Sequence, residues 1–523
     1  MRTTIGTLIG GGLVMLHVGV VAMALAGPAW LFVETFRDGD GWALTAWRNV
    51  FGDLDRWGVL LANTAAVAVW ALVPSMLVGI AMALILFKIR GRLRVPMMAL
   101  LLLAATMPLY AVSGWMYGVV GIERWLGSTA MVGLIHGVAH LPLVVLIVGV
   151  AVRSVDADLE EAALVEGADT VGVLFRVTLR RAIAGLVTAG VLVVLWVVTD
   201  YSVSDVLQVR TFAEEVYTQY ALHGRPQEPT LVSLPQILLF GGLLWAWRRH
   251  YLIDESVPNE IGARRRFSAG RFGFPLTAAA GVVAVALAAL PLVSLGRRLT
   301  GQLDLWTLAS SFSPELRVSL TTSSAAGAIA AALAVGLAWA IVRPTRWRLP
   351  LAACVVLLLA VPGPVLGIGI VRVMTKLATF SDTAATAYDS PGILVAAYVF
   401  RFLPVAVILL VPAVRAIPIE CELAARVDGC GSTRVWWHIV WPRCLPTALM
   451  AAFVVMILAL GELPCSILVT PPGYDTVGKR FFSLVHYGLY PDAAMLCLLS
   501  LASVVGPWMG LVVLLRKWLF GEK

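Results

Sequence analysis

The chain holds 523 residues, 60% of them hydrophobic and 13% charged, with a formal net charge of +8. A soluble domain carries about 25% charged and about 45–50% apolar residues, so this composition excludes an ordinary soluble enzyme and places most of the chain in a bilayer. The positive balance does not point to nucleic acid, because Lys and Arg sit in short clusters between apolar runs, the pattern of topology signals.

A helix needs about 20 apolar residues to cross roughly 30 Å of hydrocarbon. Twelve such runs are predicted: near 7–36, 58–87, 95–120, 129–152, 183–200 and 230–247 before residue 250, and near 273–296, 318–342, 349–375, 392–414, 445–468 and 491–515 after residue 270. The fold class expected is all-α integral membrane, with about 12 transmembrane helices as two parallel six-helix repeats. Residues 1–250 form the first repeat, 251–271 a cytoplasmic linker and 272–523 the second. The first run opens like a cleaved leader, with basic MRTTIG and ALAG at Ala24–Gly27. It continues through PAWLFVETF, and its partner Phe274–Val293 lies mid-chain, so both read as membrane helices.

The clusters KIRGRLR (Lys88–Arg94), Arg180 with Arg181, WRRH and ARRRF (within Arg248–Phe267), RPTRWR (Arg343–Arg348) and Arg516 with Lys517 all fall on one side of a twelve-span arrangement. The positive-inside rule makes that side the cytoplasm and puts both termini there. Arg297 and Arg298 are the exception.

A polar phrase interrupts each half: EEAALVEGADTV from Glu160 and CELAARVDGCGS from Cys421. Aligning Gly167 with Gly429 sets an offset of 262, half the chain, and other positions then match as well. His140 falls on Phe402 within HLP and FLP, Arg153 on Arg415, Asp156 on Pro418, Glu160 on Glu422, Ala162 and Ala163 on Ala424 and Ala425, and Asp200 on Glu462. Six spans is an even number, so the two copies run in the same direction. Each phrase lies between the fourth and fifth spans of its half. Asp158 with Glu161 reads as a capping box and Pro418 suits a first helical turn. The alanines keep the helix slim, and Gly167 and Gly429 can take a positive φ and turn the chain sharply. A short helix, a turn and an amphipathic return, presented twice, read as a docking element.

The two phrases resemble the EAA loop of inner-membrane permeases of binding-protein-dependent ABC importers: Glu-Ala-Ala, three residues, Gly, and later Leu-Pro. Glu161, Ala162, Ala163 and Gly167 match in the first copy, and Ala424, Ala425, Gly429 and Pro442 in the second. Leu423 stands where the triplet would begin, with Glu422 one position earlier, and Arg180 replaces the expected Pro. The resemblance implies that these residues, with Glu160 and Glu422, couple the chain to two copies of an ATP-binding subunit in the bacterial cytoplasmic membrane. It further implies a periplasmic or lipid-anchored solute-binding protein, with ATP and Mg handled on the partner and no cofactor on this chain. Fusion of two halves is similar to the ferric-iron and thiamine permeases, and GELPCSILVTPPGYDTVGKRFFSLVHYG (Gly461–Gly488) resembles the iron branch, so ferric iron is the solute expected, with thiamine or another small solute as the alternative.

Asp200 and Glu462, near the outer ends of the fifth spans, are the candidates for substrate contact. Carboxylates in membrane segments are costly and usually face a cavity, and oxygen ligands suit a hard ferric ion. The competing reading is that they cap or orient loops. His140 and Arg401, beside the Leu-Pro pairs, are further candidates for the pathway. GYDTVGKR approaches a phosphate-binding loop, which joins a strand to a helix, but carries Arg480 where a hydroxyl is needed and falls in an external loop between membrane spans. The six cysteines have no metal-ligand spacing, so no metal site is expected, and they read as incidental thiols. An ion-coupled secondary carrier would also explain twelve spans but leaves the docking elements without a purpose. A membrane enzyme would need a catalytic constellation, and no HExxH or Gly-x-Ser-x-Gly is present.

Overall fold

In hydrocarbon a backbone N–H or C=O left unpaired has no water to bond, so apolar runs fold into helices that satisfy themselves. A computed structural model describes residues 11–514 apart from 39–40, 43, 92, 108, 110–111, 113–121, 224, 249–265, 269 and 300–303. The first half comprises α1 (Gly11–Glu34), α2 (Leu54–Lys88), α3 (Arg94–Ala105), α4 (Thr129–Arg153), α5 (Ala157–Val165), α6 (Ile183–Thr199), α7 (Ser202–Val206), α8 (Phe212–His223) and α9 (Gln227–Arg248). The second comprises α10 (Gly273–Arg298), α11 (Ser313–Val342), α12 (Arg348–Ala360), α13 (Gly363–Ala378), α14 (Gly392–Arg415), α15 (Ile419–Val427), α16 (Trp441–Leu460), α17 (Ser466–Val469), α18 (Val477–His486) and α19 (Tyr490–Leu514). Side-chain caps set several starts. Asp53 accepts from the N–H of Arg56 at 3.0 Å, and Ser128 from that of Met131 at 3.3 Å.

Each of the twelve predicted runs carries a helix, but not all cross straight. Eight helices among the described residues are long and apolar enough to span a membrane. Two further helix pairs are long and apolar enough only when taken together and are bent: by 67° where Thr170–Arg181 meets α6, at the fifth predicted run, and by 107° between α12 and α13, at the ninth. The apolar run 349–375 predicts one helix at the ninth span, and the structure corrects this. The helix breaks because Pro362 and Pro364 each lack a donor, and Val361 and Pro362 take extended backbone between the two pieces. The third run is covered only by the twelve residues of α3, with most of its remainder outside the described residues. The N-terminal MRTTIG, most of the linker and the Arg516 and Lys517 pair also lie outside them.

Helix α2 packs along α4 and α6, and α11 along α14 and α16, so each half is built around its second span. Without a hydrophobic force between helices in lipid, close packing of small residues holds them. Buried Ala326, Ala330, Ala331, Ala334 and Ala338 give α11 such a face. The first spans are exchanged. α1 lies against α11, α12 and α13 of the second half, while α10 lies against α3 and α2 of the first. One large apolar core accordingly joins Val21 and Ala24 of α1 to residues of α11, α12, α14 and α16. The end of the linker is tied down at Phe267, which is buried; its N–H donates to Lys88 O at 2.7 Å and its carbonyl accepts from Arg90 N–H at 3.0 Å.

Candidate functional site

The sequence candidates gather at two places, the basic end of the bundle and a cavity between the halves. At the basic end, α5 and α15 are the short helices of the two polar phrases. The cap of α5 is Asp156, whose Oδ1 accepts from Asp158 N–H at 3.1 Å, so the expected capping box at Asp158 sits two residues too late. Pro418, at the matching repeat position, holds the N-cap of α15. Both helices stop in the same way. Gly167 has φ +92° and Gly429 φ +82°. Ala168 N–H donates to Ala163 O at 3.0 Å and Gly167 N–H to Leu164 O at 3.0 Å, while Cys430 N–H donates to Ala425 O at 2.9 Å and Gly429 N–H to Arg426 O at 3.0 Å. That pair of bonds is a Schellman turn, written twice. Beyond each turn the return segment winds as a π-helix, Val173–Thr178 and Trp436–Val440.

The two faces of these helices differ sharply. Outward lie Glu161, Ala162 and Gly167 in the first copy and Ala424, Gly429 and Pro442 in the second, with Ala163 and Ala425 half-buried. Two exposed apolar residues of each phrase repeat as well: Val165 and Val427 at 88% and 87%, and Phe175 and Trp437 at 62% and 54% exposure, each pair 262 positions apart. Inward lie Glu160 and Glu422, which are buried. Glu160 Oε1 accepts from Lys88 Nζ and from Thr178 Oγ1, each at 2.6 Å. Glu422 Oε1 accepts from Arg343 Nε at 2.9 Å and Nη2 at 2.5 Å, and its Oε2 from Trp339 Nε1 at 3.2 Å. The two glutamates grouped with the docking residues therefore face the protein interior. In the sequence Lys88 and Arg343 read only as topology signals, although each is the first basic residue at the end of the second span of its half.

The four pathway candidates meet in one cavity of about 190 Å³ between the halves, walled by His140, Trp196 and Asp200 of the first and Arg401, Phe402 and Glu462 of the second. His140 is held by a bond of 2.8 Å between its Nδ1 and His136 O, and its ring stacks on Trp196 with centroids 5.6 Å apart. Arg401 reaches across the halves, donating to Val361 O at 2.8 Å and to Thr199 Oγ1 at 3.3 Å. Each acid also caps the backbone segment that comes after it. Asp200 accepts from Ser202 N–H at 2.9 Å and Ser202 Oγ at 2.7 Å. Glu462 accepts from Cys465 N–H at 2.6 Å and Ser466 N–H at 2.8 Å. The two acids line the cavity and orient loops at once, so the two readings of these residues are not exclusive. His136, Trp196 and Thr199 escape a sequence reading because nothing distinguishes them from other residues of apolar helices.

Past the cavity, Tyr201 stacks on Tyr217 at 4.3 Å, and His486 Nε2 lies 3.1 Å from Asp205 Oδ2, joining the halves. The Asp205 carboxylate raises the His486 pKa above its ordinary value. GYDTVGKR lies between α17 and the first turn of α18, where Thr476 caps the helix and Lys479 pairs with Asp475 at 2.8 Å. Among the described residues no group of three or more His, Cys, Asp or Glu is placed to hold a metal ion, and the six cysteines are free thiols.

Comparison with known proteins gives two findings. The family described as "Binding-protein-dependent transport system inner membrane component" matches residues 75–307 and again 332–518, most of the chain, with the first match running past the linker and through α10. The chain is also similar to the sulfoquinovosyl glycerol transport system permease protein SmoH of Agrobacterium fabrum, at 26% identity over 134 residues. That match covers 26% of this chain and 47% of the relative, so the chain spans about half the length of the curated relative it matches.

Proposed function

The chain belongs to the binding-protein-dependent transport system inner membrane components, and from that premise we propose that it is the membrane-spanning subunit of an ATP-driven importer in which both permease halves are fused. One ATP-binding subunit docks on α5 and a second on α15, and they carry the ATP and Mg; this chain binds neither. A periplasmic or lipid-anchored binding protein delivers solute to the outer face. The basic end is cytoplasmic, with both termini there, and the halves divide at the linker of residues 251–271. The docking residues are Glu161, Ala162, Ala163 and Gly167 with Val165 and Phe175 in the first copy, and Ala424, Ala425, Gly429 and Pro442 with Val427 and Trp437 in the second. The repetition of one exposed apolar pair on one turn geometry, 262 residues apart, carries this reading. Closure of the ATP-binding dimer would move both docking helices, and rocking of the halves would open the cavity outward.

Ferric iron is the solute to which the Gly461–Gly488 segment points, and Asp200 and Glu462 stand on the cavity wall as its oxygen donors. A polar organic solute is the second reading. It is favoured by the engagement of both carboxylates with backbone N–H groups and by the Trp196 ring and Arg401 guanidinium beside them. The test is uptake of labelled ferric iron, and separately of labelled sulfoquinovosyl glycerol, by cells expressing this chain with its candidate ATP-binding and solute-binding proteins. Uptake of either that stops when ATP hydrolysis is blocked supports the importer. Uptake that persists without an ATP-binding subunit would mean an ion-coupled carrier instead.

A further inference from the structure

Each docking helix is fastened to the bundle at one fully buried charge. Glu160 and Glu422 are the fourth residues of α5 and α15. Each meets the basic residue at the end of the second span of its half, Lys88 at 2% exposure and Arg343 at 6%. Further bonds close each node. In the first half one comes from Thr178 of the π-helical return. In the second, Trp339 of α11 bonds the carboxylate, and Arg343 Nη2 also donates to Ile417 O, just before α15, at 2.9 Å. A buried ion pair tolerates little displacement, because a charge pulled from its partner has no water to replace it. Neither docking helix can slide or rotate against its second span while the pair stands.

The second spans lead to the cavity. α2 packs along α4 and α6, which carry His140, Trp196 and the adjoining Asp200, and α11 along α14 and α16, which carry Arg401 and the helix end before Glu462. We infer that Lys88 and Arg343 are the positioning residues that pass movement of the docked ATP-binding subunits to the cavity, through the Lys88–Glu160 and Arg343–Glu422 pairs. This rests on the importer reading above. The two nodes are unequal: the planar guanidinium makes three bonds in its node, whereas Lys88 makes one and is steadied by the linker strand on its own backbone.

The test uses the full complex in proteoliposomes, with ATP hydrolysis measured together with transport of labelled ferric iron or labelled sulfoquinovosyl glycerol, whichever the unaltered complex takes up. Lys88→Met alone leaves a buried carboxylate uncompensated and can fail to fold, so the informative variants are Lys88→Met with Glu160→Gln, its counterpart Arg343→Met with Glu422→Gln, and the reversal Lys88→Glu with Glu160→Lys. The neutral pairs remove the charge lock at little cost to folding. They are expected to assemble with the ATP-binding subunits and hydrolyse ATP while solute moved per ATP falls about ten-fold, with the reversal regaining most of the loss. An unchanged ratio of transport to hydrolysis in the neutral pairs overturns the inference, as does loss confined to the amount of complex assembled. If the unaltered complex transports without ATP, the importer reading fails first, and the ratio in the variants is not needed to see it.

Discussion

Replacement of Gly429 separates backbone geometry from bulk. Its φ of +82° is costly for any residue with a Cβ, by roughly 1–2 kcal/mol. No atom lies within 4 Å of the position a Cβ would take, so no collision adds to that cost. Relief requires unwinding the last turn of α15 and giving up the bonds from Cys430 N–H and Gly429 N–H, worth about 1 kcal/mol each. The penalty, about 1–2 kcal/mol either way, shifts the turn equilibrium about 5–30-fold without endangering the bundle. Transport assayed at equal membrane abundance should fall in the order Gly429, Gly429→Asn, Gly429→Ala, Gly429→Val, because Asn tolerates positive φ and a β-branched residue does not. Gly167, at φ +92° in equally open space, should show the same order. Full transport by Gly429→Val, or equal failure of Asn and Val, would refute the turn as the working feature.

Asp200→Asn with Glu462→Gln keeps an oxygen for each cap and removes both charges. The double variant should reach the membrane normally and lose transport, and normal transport would leave the acids as caps alone. Alanine at either position also deletes the cap and should lower thermal stability by about 0.5–2 kcal/mol, read from the unfolding of purified protein. The His486 pKa is raised by Asp205, so the charged contact is fully formed below about pH 6.5 and is lost as pH rises through the raised value. A disulfide-trapping or distance probe across the Ser202–Val206 and α18 contact should loosen on that rise, and His486→Gln should abolish the dependence; an identical response in His486→Gln would show another group at work. Phe175→Ser with Trp437→Ser should reduce capture of the ATP-binding subunit while leaving membrane insertion intact, as measured by copurification.

Much of this was legible because the repeat disciplines the reading. Every apolar run carries a helix, although eight helices among the described residues, or ten spans with the two bent pairs, are long and apolar enough to cross a membrane. The offset that pairs Asp200 with Glu462 also leads to His140 and Arg401, all four of which line one cavity. Apolarity does not encode where a helix breaks. The Pro362 and Pro364 pair carries that information inside an apolar run long enough to read as one helix. The inward face of α5 was hidden for a different reason. In nine residues a helix makes too few turns for charge periodicity to show which side is buried, and the partner of Glu160 lies 72 positions away, at Lys88. Asp158 with Glu161 has the spacing of a capping box, whereas the cap at Asp156 shows only in the bond its Oδ1 accepts from Asp158 N–H.

The most direct test is photo-crosslinking from positions 165 and 427, the two valines whose exposure repeats across the halves, in cells that also express the candidate ATP-binding subunit. Crosslinks to that subunit from both positions, and not from a lipid-facing position such as Val69, are the predicted result. Absence of a crosslink from either position in a complex that still transports would contradict docking of the ATP-binding subunits on α5 and α15.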